Sequence, residues 1–247
     1  MSVSNRYRNA WESFWREAPE GPGGVFWDAG PELVAARHLP LFAPHFPRGL
    51  PLIDVGCGNG TQTRFLAGHL GRTTGVDLSA AAVGRARRAT PDTSGGRLVY
   101  EQLDVVDEEA TRELHDRLGD ANVYLRGVLH QSEPADRGPL LAAVATLVGE
   151  HGRAFLTEPS AAAGPLLTGL ASAPGGPPPK LRPVLDHGIA PAEVADEAVP
   201  ELVRQAGLTV LDDGVVDLNT AEYRTDGSRI VLPSLWLVVG RTDAPPS

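Results

Sequence analysis

The sequence predicts an α/β protein with a doubly wound, mostly parallel seven-stranded sheet, helices on both faces and an antiparallel last strand. Three observations carry this expectation. From about residue 50 to residue 159, short apolar runs alternate with helical patterns. That rhythm implies parallel strands joined by right-handed helical crossovers. The first apolar run ends in alternating glycines that open into a helix. Near the carboxyl end, two apolar runs (208–217 and 234–240) are joined too closely for another crossover and read as an antiparallel pair.

The elements follow in order. LPLIDV (50–55) is an apolar strand that stops at glycine, and GTQTRFLAGHL (60–70) sets Phe65, Leu66 and Leu70 on one helical stripe before Gly71. RTTGVDL (72–78) is the second strand. Ser79 can cap the Ala-rich helix after it, whose last turns carry Arg85, Arg87 and Arg88, where cations favour the helix dipole. LVYEQLDV (98–105) is the third strand. DEEATRELHDRLG (107–119) is a helix with an acidic start, a glycine stop and Ala110, Leu114 and Leu118 at spacing four. NVYLRGVL (122–129) is the fourth strand. An amphipathic helix over 135–148 aligns Leu140, Leu141, Val144, Leu147 and Val148, and GRAFLTEP (152–159) is the fifth strand. A short helix around 200–206 ends at Gly207 before the final strand pair.

Two segments break the rhythm. Residues 1–48 precede the first strand and hold three of the four tryptophans, Trp11, Trp15 and Trp27. This segment is expected to be a helical cap or lid, with residues 49–247 as the main domain. Within 160–190, seven of the ten residues 174–183 are Gly or Pro. Such a stretch is neither sheet interior nor long helix, so it reads as a mobile insertion, a surface loop or a lid.

With 22 Lys+Arg against 31 Asp+Glu, the net charge is −9. That balance argues against nucleic-acid binding, which needs a basic face, and against a polybasic membrane-surface protein. No apolar run approaches the roughly 20 residues of a spanning helix, and the first 20 residues are too polar for a secretory signal. A cytoplasmic globular protein, monomer or homodimer, is the expectation. The lone cysteine, Cys57, excludes an internal disulfide, and the seven histidines show no ligand spacing, so no metal site is expected. Only one of the 22 basic residues, Lys180, is lysine, which reads as the codon bias of a GC-rich genome.

The informative segment is Leu52-Ile53-Asp54-Val55-Gly56-Cys57-Gly58-Asn59-Gly60-Thr61. Alternating glycines let the backbone turn sharply and approach a ligand without an intervening Cβ. A dinucleotide turn reads G-x-G-x-x-G and hosts a pyrophosphate. Here the spacing is G-x-G-x-G, with Thr61 at the third glycine's place. Asp54 stands just before the turn, where a carboxylate repels a diphosphate and attracts a cation. The ligand is therefore expected to carry a positive group, which disfavours a nicotinamide dehydrogenase. Asp77 lies at the tip of the second strand, where a carboxylate accepts hydrogen bonds from ribose hydroxyls. Asp104, at the end of the third strand, can accept one from an adenine amino group. Three carboxylates on successive strand ends line one crevice, because open α/β sheets bind ligands outside those ends.

DVGCGNGTQTRFLA, GVDLSAAAVGRAR, EQLDVVD and VYLRGVLHQ resemble, in order and spacing from about residue 50 to 159, the successive motifs of class I S-adenosylmethionine-dependent methyltransferases. The resemblance implies S-adenosylmethionine as cofactor and S-adenosylhomocysteine as product. It assigns Asp54, Gly56, Gly58 and Gly60 to the methionine part, Asp77 to the ribose and Asp104 to the adenine. Cys57, Leu78 and Val105 are their neighbours in the same cofactor site, Cys57 as a small apolar side chain and not a nucleophile. It also implies a seventh, antiparallel strand inserted beside the fifth.

The methyl acceptor is expected near the ends of the fourth and fifth strands. His130 is the best-placed imidazole for a general base, against a packing role, and Glu158 closes the fifth strand as a second catalytic candidate. Arg126 either orients its surroundings or holds the cofactor carboxylate. Trp11 and Trp15 share a helical face, with Phe14 beside them and Phe26-Trp27-Asp28 following. These aromatics either cover the sheet edge or form a lid that excludes water. The lid reading makes Trp11, Trp15, Trp27 and His130 substrate-binding and the acceptor a small aromatic or apolar metabolite, fitting bacterial secondary metabolism. The rivals are a protein methyltransferase and a non-methylating protein that binds the same cofactor.

Overall fold

The computed structural model describes residues 5–90, 96–189 and 194–241. One seven-stranded sheet organises the chain. Its strands are β1 (Leu52–Val55), β2 (Thr73–Asp77), β3 (Leu98–Gln102), β4 (Asn122–Arg126), β5 (Arg153–Pro159), β6 (Thr209–Tyr223) and β7 (Arg229–Gly240). The order across the sheet is β3-β2-β1-β4-β5-β7-β6. The first five run parallel, while β7 pairs antiparallel with both β5 and β6. The strand order therefore reverses between β1 and β4, the switch point at which such sheets leave a crevice.

The helices are α1 (Asn5–Glu17), α2 (Ala35–Phe42), α3 (Thr61–Leu70), α4 (Ala80–Arg88), α5 (Glu108–Leu118), α6 (Pro134–Val148), α7 (Ala163–Ala171), α8 (Arg182–Asp186) and α9 (Ala198–Gln205). Local chemistry sets their ends. The Ser79 hydroxyl accepts from Ala82 N, as its position before α4 predicts, and Asp107 accepts from Glu109 N and Ala110 N to start α5. Glycines stop α3, α5 and α6. All four residues of β1 are buried because helices cover both faces of the sheet. One face packs Ile53, Val123, Leu125, Leu141 and Leu147 together, and the other packs Leu52, Tyr124 and Phe155 with Phe42 and Leu66. Among the described residues no helix is long and apolar enough to cross a membrane.

Four expectations need amendment. The fourth strand ends at Arg126, not Leu129, because Gly127 turns the chain with φ +67°. α6 is buried on most of its circumference, since α5 and α9 pack on the side the amphipathic reading leaves to solvent. The 160–190 segment is not a bare loop. α7 and α8 flank the Gly/Pro run, and Ala163, Leu181, Val184 and Ile189 are buried against Phe14 and Trp15. Finally, most of residues 218–233 belongs to the strands themselves. β6 and β7 form one long hairpin closed by Arg224 N to Ser228 O. The N-terminal segment divides in two: α1 lies over the carboxyl ends of the strands, while α2 packs Phe42 into the sheet core.

Candidate functional site

The carboxyl ends of β1, β2 and β4 open into a cavity of about 180 Å³. Its floor is the glycine turn. Gly56 N and Cys57 N both donate to Val76 O, which folds the chain back over β2. Gly56 and Gly58 have φ of +73° and +55°, and a Cβ would meet Val128 Cγ2 at 2.7 Å and the Trp15 ring at 2.8 Å respectively. Only glycine fits either place. Cys57 lines the floor, its thiol pushed well up by burial, so it is an inert apolar wall.

Three carboxylates surround this turn in different states. Asp77 reaches back to accept from Gly58 N and Ser79 N, each at 2.9 Å, and leaves further lone pairs toward the cavity it lines. Burial pushes its pKa up to about 6 against those two hydrogen bonds. Asp54 stands behind the wall, fully enclosed, and accepts from Thr63 Oγ1 at 2.6 Å. Burial raises its pKa to about 7, opposed by the Thr63 hydroxyl and the Arg126 guanidinium. Asp104 lies two residues beyond β3. It accepts from Val106 N and from Arg8 Nη2 of α1, the latter at 2.6 Å. Leu78 and Val105 line the cavity beside these two strand ends.

The far side of the cavity follows β4 and β5. Arg126 lines it and donates to Trp27 O at 3.2 Å. Glu158 does not line it. This fully buried carboxylate accepts from Val128 N, Leu129 N and His130 N, and takes His130 Nδ1 at 2.8 Å. Glu158, expected as a second catalytic candidate, is thus enclosed away from the cavity and takes a positioning role. Four donors consume its lone pairs and fix the turn that carries His130. Gly60 also stands behind the wall, where it starts α3, and its carbonyl meets Tyr100 OH.

The roof is aromatic. Trp11, Trp15 and Trp27 line the cavity with Phe26, and Trp11 and Trp27 meet edge to face with centroids 5.6 Å apart. α1 is tied down by Arg8 on Asp104 and by Glu12, whose carboxylate accepts from Ser79 Oγ and Ala81 N at the start of α4. Burial opposes ionisation of Glu12, but the Ser79, Ala81 and Arg16 hydrogen bonds outweigh it and hold its pKa below the usual range.

Residues 52–152 match a family model described as a methyltransferase domain. A solved structure described as a SAM-dependent methyltransferase from Anabaena variabilis ATCC 29413 is 29% identical, covers 98% of each chain and superposes with a TM-score of 0.88. Over residues 52–152 the chain is similar to the methyltransferase domain, and over nearly its whole length it shares the fold of that S-adenosylmethionine-dependent methyltransferase. Two curated relatives match over shorter stretches. A dTDP-3-amino-3,6-dideoxy-alpha-D-glucopyranose N,N-dimethyltransferase of Streptomyces fradiae is 41% identical over 24% of this chain and 23% of its own length. A ubiquinone biosynthesis O-methyltransferase of Aeromonas salmonicida (strain A449) is 30% identical over 44% of this chain and 43% of its own length. The matches therefore span less than half of either curated relative.

The residues around the cavity fit S-adenosylmethionine. The turn is bare where a Cβ would fill it, and ionisable carboxylates flank the place of a cationic nucleoside. Several residues that line the cavity or hold its roof in place were not legible as such in the sequence. Arg8 and Glu12 act from a helix far away in the chain. Asp28 is buried at the cavity wall and accepts from Asn59 Nδ2 at 2.7 Å and Gly23 N. Gln62 bridges Ala35 N and Ala29 O. The one sequence signal for these was Asn59, a side chain with both a donor and an acceptor inside a glycine turn.

Proposed function

We propose that this chain transfers the methyl group of S-adenosylmethionine to a small aromatic or apolar molecule. The observation that carries the reading is the second half of the cavity. Beyond the glycine turn its walls include Trp11, Phe26, Trp27, Leu181, Leu218 and Leu232, contributed by α1, the segment between α1 and α2, the residue before α8 and the β6–β7 hairpin. Such a chamber takes up a compact apolar molecule, whereas a basic protein segment needs an open acidic groove. Both curated relatives carry the names of small-molecule methyltransferases, which supports a small-molecule acceptor without bearing on its polarity.

The roles proposed for the chain's residues follow their placement. Gly56 and Gly58 bring backbone against the methionine part of the cofactor, with Arg126 beside them for its carboxylate. Asp77 accepts from the ribose hydroxyls, and Asp104 faces the adenine edge. The bound cofactor supplies an already activated methyl group on a sulfonium sulfur. The chain's share is then to orient the acceptor, exclude water with the aromatic roof and keep both partners in line. The test is methyl transfer from labelled cofactor to a panel of aromatic amines, phenols and thiols, with basic peptides alongside. Turnover on the small molecules is expected, and turnover confined to the peptides would overturn the reading.

A further inference from the structure

Two side chains of opposite charge line the cavity without meeting. Asp28 and Arg126 both belong to its wall. Arg126 spends one donor on Trp27 O at 3.2 Å, the carbonyl just before Asp28, yet among the described residues no ion pair joins the two side chains. A guanidinium carries five N–H donors, so most of those on Arg126 have no acceptor among the described residues. Asp28 is 3% exposed, and an enclosed carboxylate without a positive partner is costly.

Backbone groups settle how Asp28 is held. Thr61 N donates to Asn59 Oδ1 at 3.2 Å, which puts the amide nitrogen of Asn59 on the other side. That nitrogen donates to Asp28 Oδ2 at 2.7 Å, and Gly23 N donates to the same oxygen at 3.1 Å. Both donors are neutral, so neither supplies the opposite charge. Oδ1 takes no hydrogen bond among the described residues and, unlike Gln131 Oε1, is not sealed away. The carboxylate is thus fixed through one oxygen and left with the other to offer.

An α-amino acid zwitterion answers both charges at once, because it carries an ammonium and a carboxylate on one carbon. The methionine tail of the cofactor is such a group, and its place is the glycine turn to which Asn59 fastens Asp28. We propose that Asp28 binds the α-ammonium group of S-adenosylmethionine through Oδ1, opposite Arg126 on the carboxylate. This rests on the cofactor placement above and deepens it. An ion pair closed within the chain would use up the groups that the tail needs. Asp28 also directly follows Phe26 and Trp27, which wall the acceptor chamber. The tail of the methyl donor therefore steadies the segment that encloses the methyl acceptor.

The experiment measures three ligands on the full chain by calorimetry. They are S-adenosylhomocysteine, its deamino analogue with hydrogen in place of the α-amino group, and its decarboxy analogue with hydrogen in place of the carboxylate. The wild type should bind the deamino analogue at least about tenfold more weakly than S-adenosylhomocysteine, since a charge-assisted hydrogen bond is lost. In Asp28→Asn the donors of Asn59 and Gly23 hold the amide oxygen, so an N–H₂ group replaces Oδ1. This variant should weaken S-adenosylhomocysteine and the decarboxy analogue by about tenfold or more and leave the deamino analogue unchanged. Equal weakening of all three would overturn the proposal and reduce Asp28 to a brace for the glycine turn. Unchanged affinity for all three would overturn it as well. A second measurement needs no variant: the ¹⁵N-labelled α-amino group of bound S-adenosylhomocysteine should keep its proton to higher pH than in the free ligand, as a facing carboxylate favours the ammonium. A bound group that loses its proton at the same pH as the free one, or lower, would overturn the assignment. Failure of the wild type to bind S-adenosylhomocysteine at all would overturn the cofactor reading and this one with it.

Discussion

Asp54 is expected to cost the protein stability at neutral to alkaline pH, where its buried carboxyl ionises. Its folded-state pKa is about 7 against an ordinary value of 3.8, so the folded chain binds its proton more tightly than the unfolded chain does. Stability from this group is fully present below the unfolded value and is lost as pH rises through the folded one. At alkaline pH the full penalty is about 4 kcal/mol, from roughly three pKa units at about 1.4 kcal/mol each. Asp54→Asn removes the ionisation, while its amide oxygen still accepts from Thr63. Urea unfolding of both proteins at about pH 5.5 and about pH 8.5 isolates the effect, because other groups cancel in the difference. Between those two conditions the carboxylate's penalty grows by about 2 kcal/mol, so the Asn variant should gain that much relative to wild type. The same variant should bind S-adenosylmethionine more weakly, since the turn loses the negative charge that favours a cation. A stability difference that stays constant within about 0.5 kcal/mol across this range would refute the burial argument.

Asp77→Ala should weaken S-adenosylhomocysteine binding by about 1–3 kcal/mol, the scale of a buried hydrogen-bonded group removed; an unchanged affinity by calorimetry would take Asp77 out of the site. Cofactor binding should also weaken as pH falls through about 6, where Asp77 takes up its proton, and a flat affinity profile between about pH 5 and pH 8 would contradict this. Glu158→Gln places an amide N–H₂ against donors of the 128–130 turn and should destabilise the chain by about 1–3 kcal/mol in urea unfolding. Arg8→Ala should loosen α1, raising hydrogen exchange across residues 5–17 while β1 to β5 keep their protection; equal protection in both proteins would show the Asp104 contact to be idle.

What was legible in the sequence depended on the distance over which each feature is determined. β1 to β5 and their crossover helices come from local periodicity, and Ser79 as a cap is a matter of a few residues, so these could be read directly. α7 was missed because the Pro and Gly of residues 174–183 dominate the segment, although AGPLLTGLA ahead of them forms helix and packs on the roof. The length of the β6–β7 hairpin was underread because polar residues such as Asn219, Thr220 and Glu222 interrupt its apolar pattern. The structure buries all three and matches them, Thr220 to Ile230 O and Glu222 to Lys180 N. Within the site, strand-end carboxylates could be located from topology alone. Their states could not, because Arg8 on Asp104 and the enclosure of Asp54 arise from elements far apart in sequence. Glu158 illustrates the limit: its position at a strand end suggested chemistry, and only the four donors converging on it show a buried anchor.

The hairpin also has an evolutionary consequence. Leu218 and Leu232 reach the chamber from a segment well downstream of every residue assigned to the nucleoside. Mutational drift in that part of the chain can reshape what is methylated while leaving the methyl donor's berth untouched. Grafting alternative hairpins onto this scaffold is accordingly a direct route to new acceptor selectivity.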